Sequence, residues 1–267
     1  MAEKLLVICI FTLIIHMIDT LSYSVRIAGV RTGKLAVALS LFSIIVIFSR
    51  TANMVQAPLT GGLVDAAKKT GNLLVLNEQF QWILASASVG TLLGAFFIPT
   101  FISLFSRSIS HLEAAGSVPK MMRNIATVHH LHYSAKHVRI PRRRMLAQLR
   151  IGWVPKRLFL LNIFATMIYT VGVLATLYAS LLNPEYSSIA LMSSGLINGI
   201  ATIILVVFVD PQVALLTEQV MKGTRGNAAL NKTVGVLVLA RFLGTIGAQF
   251  LLIPAAYYIA WFSQFFA

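Results

Sequence analysis

Six long apolar stretches constrain the fold of this chain more than any other feature. Each exceeds the roughly 20 residues that an α-helix needs to cross about 30 Å of hydrocarbon. They lie at residues 4–26, 34–57, 82–106, 158–182, 187–209 and 233–262. Only 11% of the residues are charged, whereas soluble domains carry about 25%. The sequence therefore predicts an all-α polytopic integral membrane helix bundle, with about six transmembrane helices in a single membrane domain over residues 1–267.

The lysines and arginines between these stretches predict the orientation of the bundle. Eleven of the 22 lie in residues 107–157, and the three odd-numbered connections together carry 17, against three on the opposite side. Because basic loops are retained in the cytoplasm, both termini are expected outside the cytoplasmic membrane, with a long basic cytoplasmic loop between the third and fourth spans. The first stretch lacks a signal-peptidase site and is predicted to be an uncleaved span.

Two connections are long enough to hold structure of their own. Residues 58–81 have an apolar pattern typical of a short helix on the outer surface. Residues 107–157 interleave basic and apolar side chains, which favours interfacial helices on anionic membrane lipids, with a solvated basic face as the alternative. No nucleic-acid-binding motif accompanies this charge, so no nucleic acid is expected as a partner.

A cluster of histidines in the basic loop invites a metal-binding interpretation. It consists of His129, His130, His132 and His137. No cysteine is nearby and Glu113 is the only acid in that loop, so no metal site is predicted. The chain also lacks a phosphate-binding glycine loop, a nucleophile elbow and an HExxH motif, which makes an enzyme improbable. No cofactor is expected.

Ionisable side chains are placed inside the first span. His16, Asp19, Tyr23 and Arg26 follow one another at spacings of 3, 4 and 3, so they fall within about 80° of one helical face. Such groups are costly in hydrocarbon and normally face a bundle interior or a wet cavity. Asp19 and His16 either relay ions, drawing on a proton or sodium gradient, or Asp19 serves as a counter-ion for Arg26 or Arg50.

Arg50 and Arg241 are cations inside the second and sixth spans. A guanidinium offers a planar fork of donors that suits a phosphate or diphosphate, so both are predicted to bind an anionic headgroup. The alternative is an internal salt bridge, most obviously with Asp19, because an unpaired buried charge is expensive. Both interpretations hold together if the substrate displaces the carboxylate.

Further polar side chains extend these two predictions. Arg26 and Arg31, with Lys34, lie at the expected inner headgroup level, where they either receive an entering phosphate or only determine topology. The amide side chains expected to line the route of the headgroup are Asn53, Gln56, Asn198 and Gln249.

Two patterns bear on how the helices pack. Three spans in each half would orient the halves oppositely, as in the inverted repeats of secondary transporters, although no sequence match between the halves is convincing. Gly195 and Gly199 form a Gly-x-x-x-Gly pair in the fifth span, which predicts a close helix–helix contact.

The segments IDTLSYSVRIAGVRTGKLA (18–36) and SRTANMVQAPL (49–59), together with LLNIFATMIYTVGVLATLYASLL (160–182), resemble the Amj family. These are bacterial lipid II flippases that act as an alternate to MurJ. The resemblance covers essentially the whole chain. It implies a transporter that moves the undecaprenyl-diphosphate-linked peptidoglycan precursor from the inner to the outer leaflet of the cytoplasmic membrane.

The resemblance supplies no site residues, so those named above rest on physical chemistry alone. Because six spans are few for so large a headgroup, a homodimer or a groove open to lipid is expected. One alternative function is export of another polyprenyl-linked or anionic lipid. Another is a membrane scaffold that recruits cell-wall synthesis partners through residues 107–157.

Overall fold

The computed structural model describes residues 2–116, 120 and 154–266, and every element in this part of the chain is helical. The helices are α1 (Ala2–Thr32), α2 (Leu35–Thr70), α3 (Leu73–Ala115), α4 (Lys156–Leu182), α5 (Ser187–Ile203), α6 (Asp210–Met221) and α7 (Asn227–Phe262). A π-helical turn, Ile204–Val209, joins α5 to α6, so Pro184–Met221 is long enough to count as one span. Six units in the described part are long and apolar enough to cross a membrane, which confirms the predicted fold class.

The connection predicted at residues 58–81 is wrong. Helix α2 continues through Pro58 to Thr70, and α3 begins at Leu73. Gly71 ends α2 with φ 67°, and its N–H donates to the Ala67 carbonyl at 2.9 Å. A glycine just past a helix end, in the left-handed conformation, is a common C-terminal cap. The second and third helices therefore form a tight hairpin instead of flanking a surface helix.

The structure bears on only part of the predicted basic loop. Its first residues, 107–115, continue α3. The interfacial helices predicted further along, and the four clustered histidines, lie outside the described residues.

The two most extensive helix pairings are α1 with α3 and α4 with α7, and their crossings have the same local geometry. A Cβ added to Gly94 of α3 would lie 2.7 Å from Cβ of Thr20 and 2.8 Å from the Met17 carbonyl oxygen. A Cβ added to Gly244 of α7 would lie 2.6 Å from Cβ of Thr166 and 2.9 Å from the carbonyl oxygen of Ile163, again three residues earlier. Each half of the chain thus contains an equivalent glycine–threonine crossing.

These equivalent crossings lead to a sequence match between the two halves that was not recognised from the sequence alone. Residues 20–25 read TLSYSV and residues 166–171 read TMIYTV, with threonine, tyrosine, a hydroxyl residue and valine in the same places. The match aligns Tyr23 with Tyr169. Together with the two glycine–threonine crossings, it relates α1 to α4 and α3 to α7.

The glycine contact predicted at Gly195 and Gly199 is wrong. Nothing lies within 4 Å of a Cβ added at either residue in the described structure. The close contact is made instead by Gly90 and Gly94, four residues apart on α3, where a Cβ at Gly90 would overlap the Leu13 carbonyl oxygen. A Gly-x-x-x-Gly spacing permits close approach but does not determine which helix face meets a partner.

Candidate functional site

Two adjoining cavities, both partly open to the surface, lie among the helices of the bundle. The first, here the charged cavity, measures about 300 Å³ and is lined among others by Asp19, Tyr23, Arg26, Arg50, Tyr169, Asp210 and Arg241. The second, here the polar cavity, measures about 170 Å³ and is lined among others by His16, Arg50, Asn53, Gln56, Tyr169, Thr170 and Asn198. Arg50 and Tyr169 line both, so they stand at the boundary between the two cavities.

The cavity linings show that the halves of the chain run in opposite directions. On α1, residues 12–16 line the polar cavity and the later residues 19–26 line the charged cavity. On α4 the order is reversed, because residues 169–174 line the polar cavity and residues 166–169 line the charged cavity. The same reversal relates α2 and α5. The earlier residues of α2, 42–50, line the charged cavity, whereas the earlier lining residue of α5, Asn198, lines the polar cavity. Helices α1 and α4 therefore run in opposite directions, as do α2 and α5, which is the arrangement expected of an inverted repeat.

A buried ion pair lies in the charged cavity. Asp19 Oδ2 accepts a hydrogen bond from Arg241 Nη2 at 2.7 Å, and Asp19 Oδ1 accepts one from Ser49 Oγ at 2.5 Å. The side chains are only 17% and 12% exposed. The pairing of Asp19 with Arg26 or Arg50 is wrong, and the alternative salt bridge between Asp19 and Arg241 is what forms.

Arg26 has a different partner, one that the sequence analysis did not single out. Its Nη2 donates to Oδ1 of Asp210 at 2.7 Å, and its guanidinium lies 5.5 Å from the Phe42 ring centroid. Asp210 begins α6, directly after the π-helical turn. The sequence feature that could have identified Asp210 is the scarcity of acidic residues. A chain with only eight of them offers few counter-ions for its intramembrane arginines.

The Arg26–Asp210 pair is expected to contribute less stability than the Asp19–Arg241 pair. Asp210 is 50% exposed and Asp19 only 17%, so water can replace the Asp210 carboxylate at Arg26 more readily than it can replace Asp19 at Arg241. Asp210→Asn, whose amide oxygen can still accept a hydrogen bond from Arg26, should therefore lower the thermal midpoint of the purified protein less than Asp19→Ala. A loss as large as that from removing Asp19 would contradict this ranking of the two pairs.

Arg50 has no carboxylate partner. Among the described residues it forms no ion pair and no hydrogen bond, although it lines both cavities. It is thus the one of the three cavity arginines, Arg26, Arg50 and Arg241, whose donors are not occupied by a carboxylate. This distinguishes Arg50 from Arg241, although the sequence predicted the same headgroup-binding role for both.

The polar cavity combines paired and unpaired groups. Gln56 Nε2 donates to Thr12 Oγ1 at 2.6 Å, which ties α2 to α1 beside the cavity. Three buried atoms from its lining, His16 Nδ1, Thr170 Oγ1 and Asn198 Oδ1, have no hydrogen-bond partner within the described structure. Buried polar atoms are nearly always paired, so unpaired ones in a cavity are available to a polar ligand.

Two predicted site residues are not brought to these cavities. Gln249 lies beside α3, where its carbonyl oxygen accepts a hydrogen bond from Gln81 Nε2 at 3.0 Å. Arg31 is exposed in the last turn of α1, and the neighbouring Lys34 pairs with Glu113. Neither Gln249 nor Arg31 lines the charged or the polar cavity. Within the described ranges no group of His, Cys, Asp and Glu is arranged to hold a metal ion.

A multi-pass helical membrane protein with an ion pair and a succession of polar side chains along its interior has the construction of a membrane transporter. Comparison with known proteins makes this class specific. The model of the Amj family, described as "Alternate to MurJ", matches residues 11–263, and the chain belongs to this family.

The chain is similar to a curated relative, "Lipid II flippase Amj" of Bacillus subtilis (strain 168). The two are 45% identical over 265 residues, which cover 99% of this chain and 98% of the relative. No solved structure matches the chain. The family resemblance in the sequence is thereby confirmed.

Proposed function

We propose that this chain is a lipid II flippase, moving the undecaprenyl-diphosphate-linked precursor from the inner to the outer leaflet of the bacterial cytoplasmic membrane. The name of its 45% identical relative supports this activity. The structural observation that carries the proposal is Arg50, an exposed arginine without a carboxylate partner at the boundary of two adjoining cavities.

Arg50 suits the diphosphate of this substrate. A guanidinium donates paired hydrogen bonds to phosphate oxygens, and these charge-assisted bonds are roughly twice as strong as neutral ones. Arg26 and Arg241 already pair with Asp210 and Asp19, so an incoming anion must compete with a carboxylate for their donors. Arg50 needs no such exchange and is therefore the first diphosphate contact, with Arg241 recruited if Asp19 releases it.

The polar cavity supplies groups for the sugars and the peptide. The amide groups of Asn53, Gln56 and Asn198 line it, together with the unpaired His16 and Thr170 atoms. Both cavities are at or below the lower end of the 300–1,000 Å³ that pockets for drug-sized ligands span, and a disaccharide-pentapeptide is larger than such ligands. The bundle must therefore open toward lipid or water while the headgroup passes.

The inverted repeat supports an alternating mode of opening. When α2 is aligned with α5 on the Ala-Leu pair that both contain, at 38–39 and 190–191, residues 46, 50, 53 and 57 correspond to residues 198, 202, 205 and 209. Arg50, Asn53 and Ala57 line the polar cavity, and their counterparts Thr202, Leu205 and Val209 line the charged cavity. Conversely, Val46 lines the charged cavity and its counterpart Asn198 lines the polar cavity. Transporters with inverted repeats open to the two sides in turn by moving one repeat against the other.

The proposed orientation places the charged cavity nearer the cytoplasm. Both termini then lie outside, and Arg26 and Arg31 mark the end of α1 from which lipid II enters. A proton or sodium gradient, acting through Asp19 and His16, remains the alternative to movement without an imposed gradient. The homodimer remains a second prediction.

Replacing Arg50 with alanine is expected to slow the transbilayer movement of fluorescent lipid II about 10- to 150-fold, from the roughly 1.5–3 kcal/mol of a hydrogen bond to a charged group. The measurement uses vesicles that contain only this protein, with and without a proton or sodium gradient. Arg50→Lys should recover part of the rate, because lysine keeps the charge but loses the fork.

The matched control is Arg225→Ala, which removes an exposed guanidinium from the α6–α7 connection. It should move lipid II at the unaltered rate. Equal rates in the Arg50→Ala and unaltered proteins would reject Arg50 as the diphosphate contact. Competition by other polyprenyl-linked or anionic lipids in the same vesicles distinguishes lipid II transport from the rival exporter. The scaffold alternative predicts that Arg50→Ala is tolerated in cells whereas charge reversal in residues 107–157 is not.

A further inference from the structure

An apolar groove and the polar cavity lie on different faces of α4. It measures about 400 Å³ and runs between α4, α5 and α7. Its lining includes Val171, Gly172, Ile197, Ile200, Ala255 and Tyr258. Ile200 and Tyr258 are exposed, so the groove opens on the lipid-facing side of the bundle.

The groove and the polar cavity are separated by one layer of side chains. A Cβ added to Gly172, which lines the groove, would lie 2.7 Å from Oδ1 of Asn198, which lines the polar cavity. It would also lie 3.1 Å from Cγ2 of Ile197, the neighbouring residue that faces the groove. Because Gly172 has no side chain, the two spaces approach each other closely at this point.

The residues that correspond to part of the groove lining in the first half belong to an apolar cluster. The counterparts of Val171, Ile197 and Ala255 in the first half are Val25, Ile45 and Phe105. Val25 is buried in one apolar cluster, and Ile45 and Phe105 pack against that cluster. The second half has alanine where the first has a phenyl ring, and this substitution contributes to leaving the groove open.

We propose that this groove binds an isoprenoid chain, the prenyl tail of the lipid whose headgroup occupies the polar cavity. The proposal rests on the proposed function, because a tethered headgroup is what selects the occupant. Membrane lipid tails are as apolar as leucine, so burial alone would not distinguish one hydrocarbon chain from another. A lipid whose diphosphate is held near Arg50, however, presents its tail to the groove at a high effective concentration.

The direct test is photolabelling of the full chain in phosphatidylglycerol vesicles. One probe is a polyprenyl diphosphate with a diazirine on its chain, and the other is phosphatidylglycerol with a diazirine on an acyl chain. Labelled residues are mapped by mass spectrometry. We expect the prenyl probe to label the groove residues of α4, α5 and α7, and unlabelled lipid II to suppress this labelling. Equal groove labelling by both probes, unaffected by lipid II, would mean that bulk lipid fills the groove and would overturn the proposal.

Comparison of the two halves also suggests a substitution that tests the groove. Ala255→Phe places in the second half the ring that Phe105 provides in the first, and should reduce prenyl labelling and lipid II movement about tenfold. The control Leu196→Phe adds a ring on an exposed face of α5 outside the groove and should change neither. Ala255→Leu, a smaller addition, should give an intermediate loss if the phenylalanine variant does not fold.

The outcomes separate this proposal from the proposed function. If Arg50→Ala slows lipid II movement but Ala255→Phe alters neither labelling nor movement, the groove proposal fails and the flippase remains. If the unaltered protein moves no lipid II, the proposed function fails. The lipid II competition in the labelling experiment still decides what occupies the groove.

Discussion

Gly90→Ala is expected to destabilise the bundle strongly, although it adds only one methyl group. The new Cβ would overlap the carbonyl oxygen of Leu13 and would lie 2.9 Å from its Cα. These are backbone atoms, so no flexible side chain can move aside and α1 and α3 must separate. Overpacking of a well-packed interior typically costs 1–3 kcal/mol, and this contact lies in one of the two most extensive helix pairings. The thermal midpoint of the detergent-purified protein, followed by tryptophan fluorescence, measures the loss.

The matched control is Gly195→Ala, the same substitution in a membrane helix. Nothing lies within 4 Å of a Cβ at Gly195, so its stability should be unchanged or slightly raised by the higher helix propensity of alanine. Equal behaviour of the two variants would contradict the α1–α3 crossing. Destabilisation by Gly195→Ala would instead indicate that a second copy covers this face, which supports the predicted homodimer.

Removal of one member of the Asp19–Arg241 pair should have the other large effect. In Asp19→Ala the guanidinium of Arg241, only 12% exposed, loses its carboxylate and must remain charged inside the bundle. Breaking a buried pair in this way costs about 3–5 kcal/mol. The measurement is thermal unfolding of Asp19→Ala, Arg241→Ala and the double variant.

A double-mutant cycle separates this effect from lost packing. If the two groups stabilise each other, the double variant is less destabilised than the sum of the single variants, with a coupling of about 0.5–3 kcal/mol for residues in contact. Ser49→Ala serves as a smaller reference, since it removes only the hydroxyl that donates to Asp19. Additive losses within error would show that the pair contributes no mutual stabilisation.

The number of units long enough to span a membrane, and the ends of some of their helices, could be predicted from the sequence. A polypeptide in hydrocarbon must satisfy its backbone hydrogen bonds internally, so a long apolar stretch becomes a helix whatever surrounds it. The fourth span, predicted at 158–182, is observed at Lys156–Leu182. Pro155 and Pro184 flank it closely, and proline punctuates helices through local sterics.

The extension of α2 could not be predicted this way. Asp65, Lys68 and Lys69 give residues 58–70 the composition of a loop, but all three lie on an exposed face of the helix. Leu63 and Val64 on another face join the main apolar cluster. Local polarity cannot separate a loop from an amphipathic helical extension, because the difference lies in what packs against the apolar face.

The sequence by itself determined which charged groups must be accommodated inside the bundle, because position within an apolar stretch suffices for that. Only the tertiary structure decided their partners. Asp19 shares a helical face with Arg26, yet it pairs with Arg241, which is 222 residues away along the chain, and Arg26 pairs with Asp210. Such pairs form across helix interfaces, whose geometry depends on small residues such as Gly94 and Gly244. That packing neutralises two of the three cavity arginines and leaves Arg50 without a carboxylate partner.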